Sequence, residues 1–337
     1  MNIYPLLRPL LFSLDPELAH EVTLKLLKLS DSSGLSALLY PTLPEKPVEV
    51  MGLHFKNPVG LAAGLDKNGD YINALDALGF GFIEIGTVTP RPQPGNSKPR
   101  LFRLPEHEAI INRMGFNNTG IDHLLAQAQH SGYSGILGIN IGKNFDTPIE
   151  EATEDYLMGL RKAYTSASYI TINISSPNTK NLRQLQQGDE IRRLVANLKN
   201  EQLSLEQEYG FYVPLAIKIA PDLTDEEISH IASLLLDFEI DGVIATNTTI
   251  SREAIAEHPL AQEAGGLSGA PVKTASTRVV KGLAAELQDK VAIIAAGGIL
   301  SAEDAQEKLN AGASLVQVYS GLIYKGPQLI ADIVRSL

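Results

Sequence analysis

A closed (β/α)8 TIM barrel with a small N-terminal helical extension is the fold class this sequence predicts, and three observations predict it. Eight short apolar runs recur after residue 57. Amphipathic helical patterns lie between most of them. The open, doubly wound alternative would carry its G-x-G-x-x-G fingerprint after the first run, where Ala62-Ala63-Gly64-Leu65-Asp66 stands instead. Strand–helix alternation implies a parallel sheet, and eight repeats over most of a 337-residue chain match the size at which such a sheet closes.

Taken in order, residues 1–46 form the extension and residues 47–337 the barrel. The extension reads as two short helices. The first covers about residues 5–13, and the second opens at Asp15-Pro16-Glu17, a cap followed by proline at the first helical position. Leu6, Leu7, Leu10, Leu11, Phe12, Leu14, Val22, Leu24, Leu26, Leu27 and Leu29 are too many apolar groups for two helices to bury against each other. They must cover the barrel, a partner or a membrane surface. Residues 47–56 read as a hairpin turning at Met51-Gly52 that plugs the barrel floor. The strands follow at 59–63, 82–87, 136–141, 169–174, 215–219, 242–246, 292–296 and 315–319. The helices between them include residues 73–78, residues 225–238 behind the cap Thr224, and residues 301–310 ahead of Gly312. Residues 88–118, with Pro90, Pro92, Pro94, Pro99 and Pro105, form a long insertion after the second strand, and loops of that length are usually functional.

Composition narrows the function classes. A net charge of -11 disfavours nucleic acid as a partner, since phosphate binding needs a basic surface. The absence of cysteine excludes disulfides, a cysteine nucleophile and Cys-ligated zinc or iron–sulfur clusters. No metal-ligand spacing appears. The seven histidines are scattered and none ends a strand, which disfavours a histidine-based flavin oxidase. No apolar run reaches transmembrane length and the N-terminus lacks a signal-peptide shape, so a cytoplasmic location is expected.

In such barrels the site is built at the C-terminal ends of the strands. There the sequence places Ala63-Gly64-Leu65-Asp66-Lys67, Gly86-Thr87, Asn140-Ile141-Gly142-Lys143, Asn173-Ile174-Ser175-Ser176-Pro177-Asn178-Thr179 and Thr246-Asn247-Thr248-Thr249, with Asn112-Arg113-Met114-Gly115-Phe116 closing the insertion. One amide-rich end is ordinary turn chemistry. Several converging on one mouth make a hydrogen-bonding cage. Period-two alternation puts Thr171, Asn173 and Ser175 on one face of their strand and the isoleucines on the other. Lys218, inside Leu215-Ala216-Ile217-Lys218-Ile219, must point into the barrel and find an acceptor. It could form a Schiff base, act as a fixed cation beside a cofactor, or make a core ion pair. The runs Gly265–Gly269, Ala296-Gly297-Gly298-Ile299 and Tyr319-Ser320-Gly321 offer backbone amides that suit a phosphate. A ligand with a phosphate at one end and a flat polar body, such as flavin mononucleotide (FMN), fits that layout.

The motifs around Gly64, Asn112, Ser176 and Asn247, in that order and over nearly the whole chain, resemble the dihydroorotate dehydrogenase family, most of all its class 2, quinone-dependent, proteobacterial members. That resemblance implies an FMN-containing barrel that oxidises (S)-dihydroorotate to orotate in pyrimidine synthesis. It implies Ser176 as catalytic base for the C5 proton, with Thr179 and a water near Phe116 as the relay. Lys67, Asn112, Arg113, Met114, Gly115, Phe116, Asn173, Asn178, Asn247 and Thr248 match substrate positions. Ala63, Gly64, Leu65, Asp66, Lys67, Thr87, Asn140, Asn173, Lys218, Thr246, Gly269, Gly298, Tyr319 and Ser320 match FMN positions. A serine where class 1 enzymes use cysteine points to class 2. The extension is then expected to lie on the cytoplasmic side of the inner membrane and lead a membrane quinone to the cofactor, with His20 and Arg103 lining the path. No protein partner is implied.

Overall fold

The computed structural model describes residues 4–40, 42–179, 182–186 and 188–337. Residues 1–3 and 41 of the extension lie outside that set. Helix α1 covers Tyr4–Ser13 and α2 covers Pro16–Ser32. Asp15 caps α2 by accepting from the backbone N–H groups of Glu17 and Leu18, both at 3.0 Å, which contributes about 1 kcal/mol. A short α3, Ser36–Leu39, follows that the periodicity does not announce. Among the described residues no helix is long and apolar enough to cross a membrane.

The hairpin forms as expected, with β1 (Val48–Val50) paired antiparallel to β2 (Leu53–Phe55) and Met51 at φ 54 in the turn. The barrel then runs through β3 (Val59–Leu61) and β4 (Phe82–Val88). The insertion after β4 is more than a loop. It holds β5 (Leu101–Leu104) and β6 (Ala109–Asn112). The barrel resumes with β7 (Ile136–Ile141), β8 (Tyr169–Asn173), β9 (Leu215–Ile219) and β10 (Gly242–Ala245). Next comes β11 (Gly266–Gly269), then β12 (Ala292–Ala296) and β13 (Leu315–Val318). The eight parallel strands close in the order β3-β4-β7-β8-β9-β10-β12-β13, with β13 pairing back to β3. The glycine run 265–269 does not end a barrel strand. It forms β11, which pairs with β6 in a three-stranded antiparallel sheet above the mouth.

Two apolar layers hold the barrel. The outer one lies between strands and helices and contains Ile170, Ile172 and Ile174, the expected isoleucine face of β8. The inner one fills the floor: Val50 and Phe55 of the hairpin pack with Phe82, Tyr169, Ile244, Ile294 and Leu315. Phe55 meets Phe82 edge-on at 5.1 Å, and Phe82 meets Tyr169 at 6.3 Å. Gly60 makes room for this stack, because a Cβ there would lie 2.2 Å from the Phe82 ring. The hairpin is therefore the plug.

α1 and α2 rest on the flank of this body. Arg103 of β5 donates to the carbonyls of Leu11, Phe12 and Leu14 at the end of α1, and its guanidinium lies 4.6 Å from the Phe12 ring centroid. Glu17 of α2 accepts from Arg100 Nη2 at 2.7 Å and Nε at 3.3 Å, a forked pair buried between extension and barrel. Burial alone would raise the Glu17 pKa, but the Arg100 guanidinium, helped by Lys98, holds it below the usual carboxylate range. Leu24 is buried in the main core. Leu6, Leu7, Leu10, Leu18, Leu26 and Leu29 are not; Leu6 is 77% exposed and Leu10 67%.

Candidate active site

The mouth of the barrel holds a cleft of about 1060 Å³ of empty space, and most residues expected from the strand ends line it. Ala63, Gly64 and Lys67 come from the end of β3, Thr87 from β4, Asn173, Ser176 and Asn178 from β8, and Lys218 from β9. Thr246, Asn247 and Thr248 follow β10, Gly298 follows β12, and Tyr319 and Ser320 follow β13. The small sheet contributes Asn112 and Gly269, and the segment after β6 contributes Met114, Gly115 and Phe116.

The cage is a connected network. Asn173 Nδ2 donates to Thr87 Oγ1 at 2.9 Å, and Thr87 donates to Asn140 Oδ1 at 2.6 Å. Asn247 Nδ2 donates to Asn173 Oδ1 at 3.2 Å and Ser175 Oγ at 3.0 Å. Asn178 Nδ2 donates to Asn112 Oδ1 at 3.2 Å, joining β8's loop to the small sheet. The Ser176 hydroxyl accepts from the Asn178 backbone N–H at 3.3 Å, and Ser176 is only 6% exposed.

Several expected residues stand off the cleft wall. Arg113 points the other way, donating to Glu263 at 2.6 Å and lying over the Phe102 ring at 4.7 Å. It follows Asn112 at the end of an extended strand, where successive side chains face opposite sides. Asn140 sits one level down, donating to Glu84 at 2.8 Å. Leu65 is core, and Asp66 caps its own loop by accepting from the N–H groups of Asn68, Asp70 and Tyr71. Thr179 is buried and outside the lining. Arg103 is spent on α1. His20 is close enough to Lys67 to feel its charge; burial, then Lys67, lowers its pKa to about 3, so it is neutral at physiological pH.

Glu84 was not anticipated, although a carboxylate inside Phe82-Ile83-Glu84-Ile85 is the same signal as Lys218 in its strand. It is fully buried beneath the cleft and accepts from Asn140, Tyr169 at 2.9 Å, Thr171 at 3.2 Å and Gln317 at 2.7 Å. Lys218, by contrast, finds no acceptor: its ammonium makes no hydrogen bond or ion pair among the described residues. Burial lowers its pKa, and only the charge of Glu84 opposes that. Burial likewise brings Lys67 down to about 8, with Glu17 opposing. Two cationic side chains thus face one cleft without a fixed anionic partner in hydrogen-bond contact.

On the far wall, Gly298 sits at φ 73, and a Cβ there would lie 2.4 Å from Lys273 Cα. The backbone there stays bare, and the N–H groups of Gly298 and Ile299 take no partner among the described residues. The Ser268 and Ser320 hydroxyls meet beside them at 2.8 Å. Such a pocket of backbone amides and hydroxyls fits a phosphate.

A parallel barrel with an amide cage, a buried hydroxyl, two unpaired lysines and a row of bare backbone amides at its mouth belongs to the class of (β/α)8 barrels that carry their site at the C-terminal ends of the strands. The family model for dihydroorotate dehydrogenase matches residues 46–337, and the chain belongs to that family of oxidoreductases, among its quinone-type proteobacterial members. It is 64% identical to a dihydroorotate dehydrogenase (quinone) of Chromobacterium violaceum, over 99% of this chain and 97% of that one. It is 59% identical to the enzyme of the same description from Acinetobacter baylyi, over 99% of both. Among solved structures, dihydroorotate dehydrogenase of Eimeria tenella in complex with ferulenol superposes with a TM-score of 0.86 at 40% identity, covering 95% of this chain and 90% of that one.

Proposed function

We propose that the chain oxidises (S)-dihydroorotate to orotate with FMN as cofactor and passes the electrons to a membrane quinone. One observation carries the reading: the amides of Asn112, Asn173, Asn178 and Asn247, the Ser176 hydroxyl and the unpartnered Lys218 ammonium all open on a single cleft. The residues fit the cofactor. The bare amides at Gly298 and Ile299, with Ser268 and Ser320, would hold the phosphate. Thr87, Asn173, Lys218 and Thr246 would hold the ring, and Lys218 would face its polar edge. FMN, when bound, supplies the acceptor for the hydride that leaves C6 of the substrate.

The protein's own part is binding, orientation and one proton. Lys67 pairs with the substrate carboxylate, and the four asparagines fix the ring by donor and acceptor placement. Ser176 takes the C5 proton. Its hydroxyl is a weak base at its ordinary pKa, so the proton must pass onward, and buried Thr179 with a water near Phe116 is the proposed relay. The extension, residues 1–46, serves the second half-reaction apart from the barrel, residues 47–337. Its exposed leucines rest on the cytoplasmic face of the inner membrane, and His20, neutral, with the Arg103 guanidinium lines the path inward.

Anaerobic mixing of the purified, yellow protein with dihydroorotate tests this. Bleaching of the flavin band, then recolouring on adding a soluble quinone, is the expected result. A colourless protein, or a flavin that dihydroorotate leaves oxidised, overturns it.

A further inference from the structure

The loop after β8, which carries Ser176, and the loop after β10, which carries Asn247 and Thr248, are separate in sequence and meet over the cleft. Asn247 Nδ2 joins them directly at the mouth, donating to Ser175 Oγ at 3.0 Å. Pro177 and Thr248 both close on Gly266, where a Cβ would fall 1.9 Å from Thr248 Oγ1 and 3.1 Å from Pro177 Cγ. A second side chain, from outside both loops, spans their backbones. Arg183 donates from Nε to the Ser175 carbonyl at 3.0 Å and from Nη2 to the Thr248 carbonyl at 2.8 Å. Its Nη1 donates to Asp222, after β9, at 2.7 Å. Asp222 is itself engaged by the backbone N–H of Ile250 at 3.1 Å and by the Thr249 hydroxyl. Each arm of a planar fork thus takes a different strand-end segment, a pattern that a lysine's single nitrogen reproduces poorly.

The Ser175 carbonyl belongs to the peptide that leads into Ser176. The Thr248 carbonyl closes the residue whose own N–H is held by Asn247 Oδ1 at 2.8 Å. We propose that Arg183 is a positioning residue that ties these two loops together and so sets the spacing between Ser176 on one side of the substrate and Asn247–Thr248 on the other. This rests on the substrate reading above. It touches no residue of the phosphate cradle, so substrate and cofactor binding should separate when it is removed.

The test uses the full-length protein with its flavin, and orotate binding is followed by the change in the flavin spectrum. Arg183→Ala should keep its FMN and bind orotate about tenfold or more weakly, the scale of losing charge-assisted hydrogen bonds. Low-millimolar guanidinium chloride should restore part of that affinity, which a general packing defect would not allow. Should Arg183→Ala fail to fold, Arg183→Lys decides by the same titration, with intermediate affinity expected. Orotate affinity unchanged in the variant, or a loss that guanidinium leaves untouched, overturns the tie alone. A wild-type protein without flavin, or blind to orotate, overturns the substrate reading and the tie together.

Discussion

At the mouth of the barrel, Asn173 divides its amide between Thr87 on one side and Ser175 and Asn247 on the other, and Ser176 and Asn178 are linked by the turn between them. Along α1 and α2, Leu6, Leu10, Leu26 and Leu29 stand more than half in solvent. The mouth presents fixed hydrogen-bonding groups, whereas the extension presents bare apolar side chains. Directional bonds select one small molecule by the placement of its donors and acceptors, because a mismatch leaves a buried partner unpaired. Exposed leucines select nothing by geometry and suit a surface with no fixed pattern, such as lipid. On the proposed function the two regions would divide recognition between a soluble acid and an apolar phase, and the Glu17–Arg100 pair is a buried joint between them.

The sharpest cut at the mouth is Ser176→Ala. Dihydroorotate-driven flavin reduction should fall about 10²–10⁴-fold, the usual worth of a positioned base, while the flavin stays bound. Stopped-flow bleaching measures it, and a rate within a few-fold of wild type would move the base elsewhere. Glu17→Gln attacks the joint. It leaves Arg100 buried with a weakened partner and should destabilise the seating of α2 by about 3 kcal/mol, read as earlier thermal unfolding or as protease cleavage near residue 15. The double change Leu6→Ser and Leu10→Ser should lower affinity for lipid vesicles by about thirtyfold, from about 1 kcal/mol per lost leucine, and leave bleaching by dihydroorotate unaltered. Equal vesicle binding by the variant would erase the contrast between the regions. The smallest effect is one of pH. Burial holds Lys67 near 8, so its ammonium is present below that pH and lost above it. Orotate affinity should therefore weaken, by up to about tenfold, from pH 7 to pH 9. A flat profile would show that another group meets the carboxylate.

Much of this architecture was legible before any coordinates. Local signals carried it: the cap at Asp15-Pro16, the turn at Met51-Gly52, the isoleucine face of β8 and the Thr224 cap all form where expected. The cage was legible because amides clustered at the ends of apolar runs, and barrel closure brings those ends together. Three things were not legible, for different reasons. The small sheet joins residues 101–112 to residues 266–269, and nothing local in either segment encodes a partner that distant. The side that Arg113 takes follows from its neighbour Asn112 facing the cleft, which only the strand's register reveals. Glu84 needed the same reading as Lys218; its four donors come from β7, β8 and β13, three strands whose convergence on one carboxylate is a property of the closed barrel.

The aromatic stack of Phe55, Phe82 and Tyr169 packs the floor of the barrel shut, at the end opposite the cleft. On the proposed function, neither reactant would come from below: the acid would enter from solvent at the mouth and the quinone along the extension. A vessel stoppered at one end leaves its chemistry to the rim, where both visitors would have to be sorted.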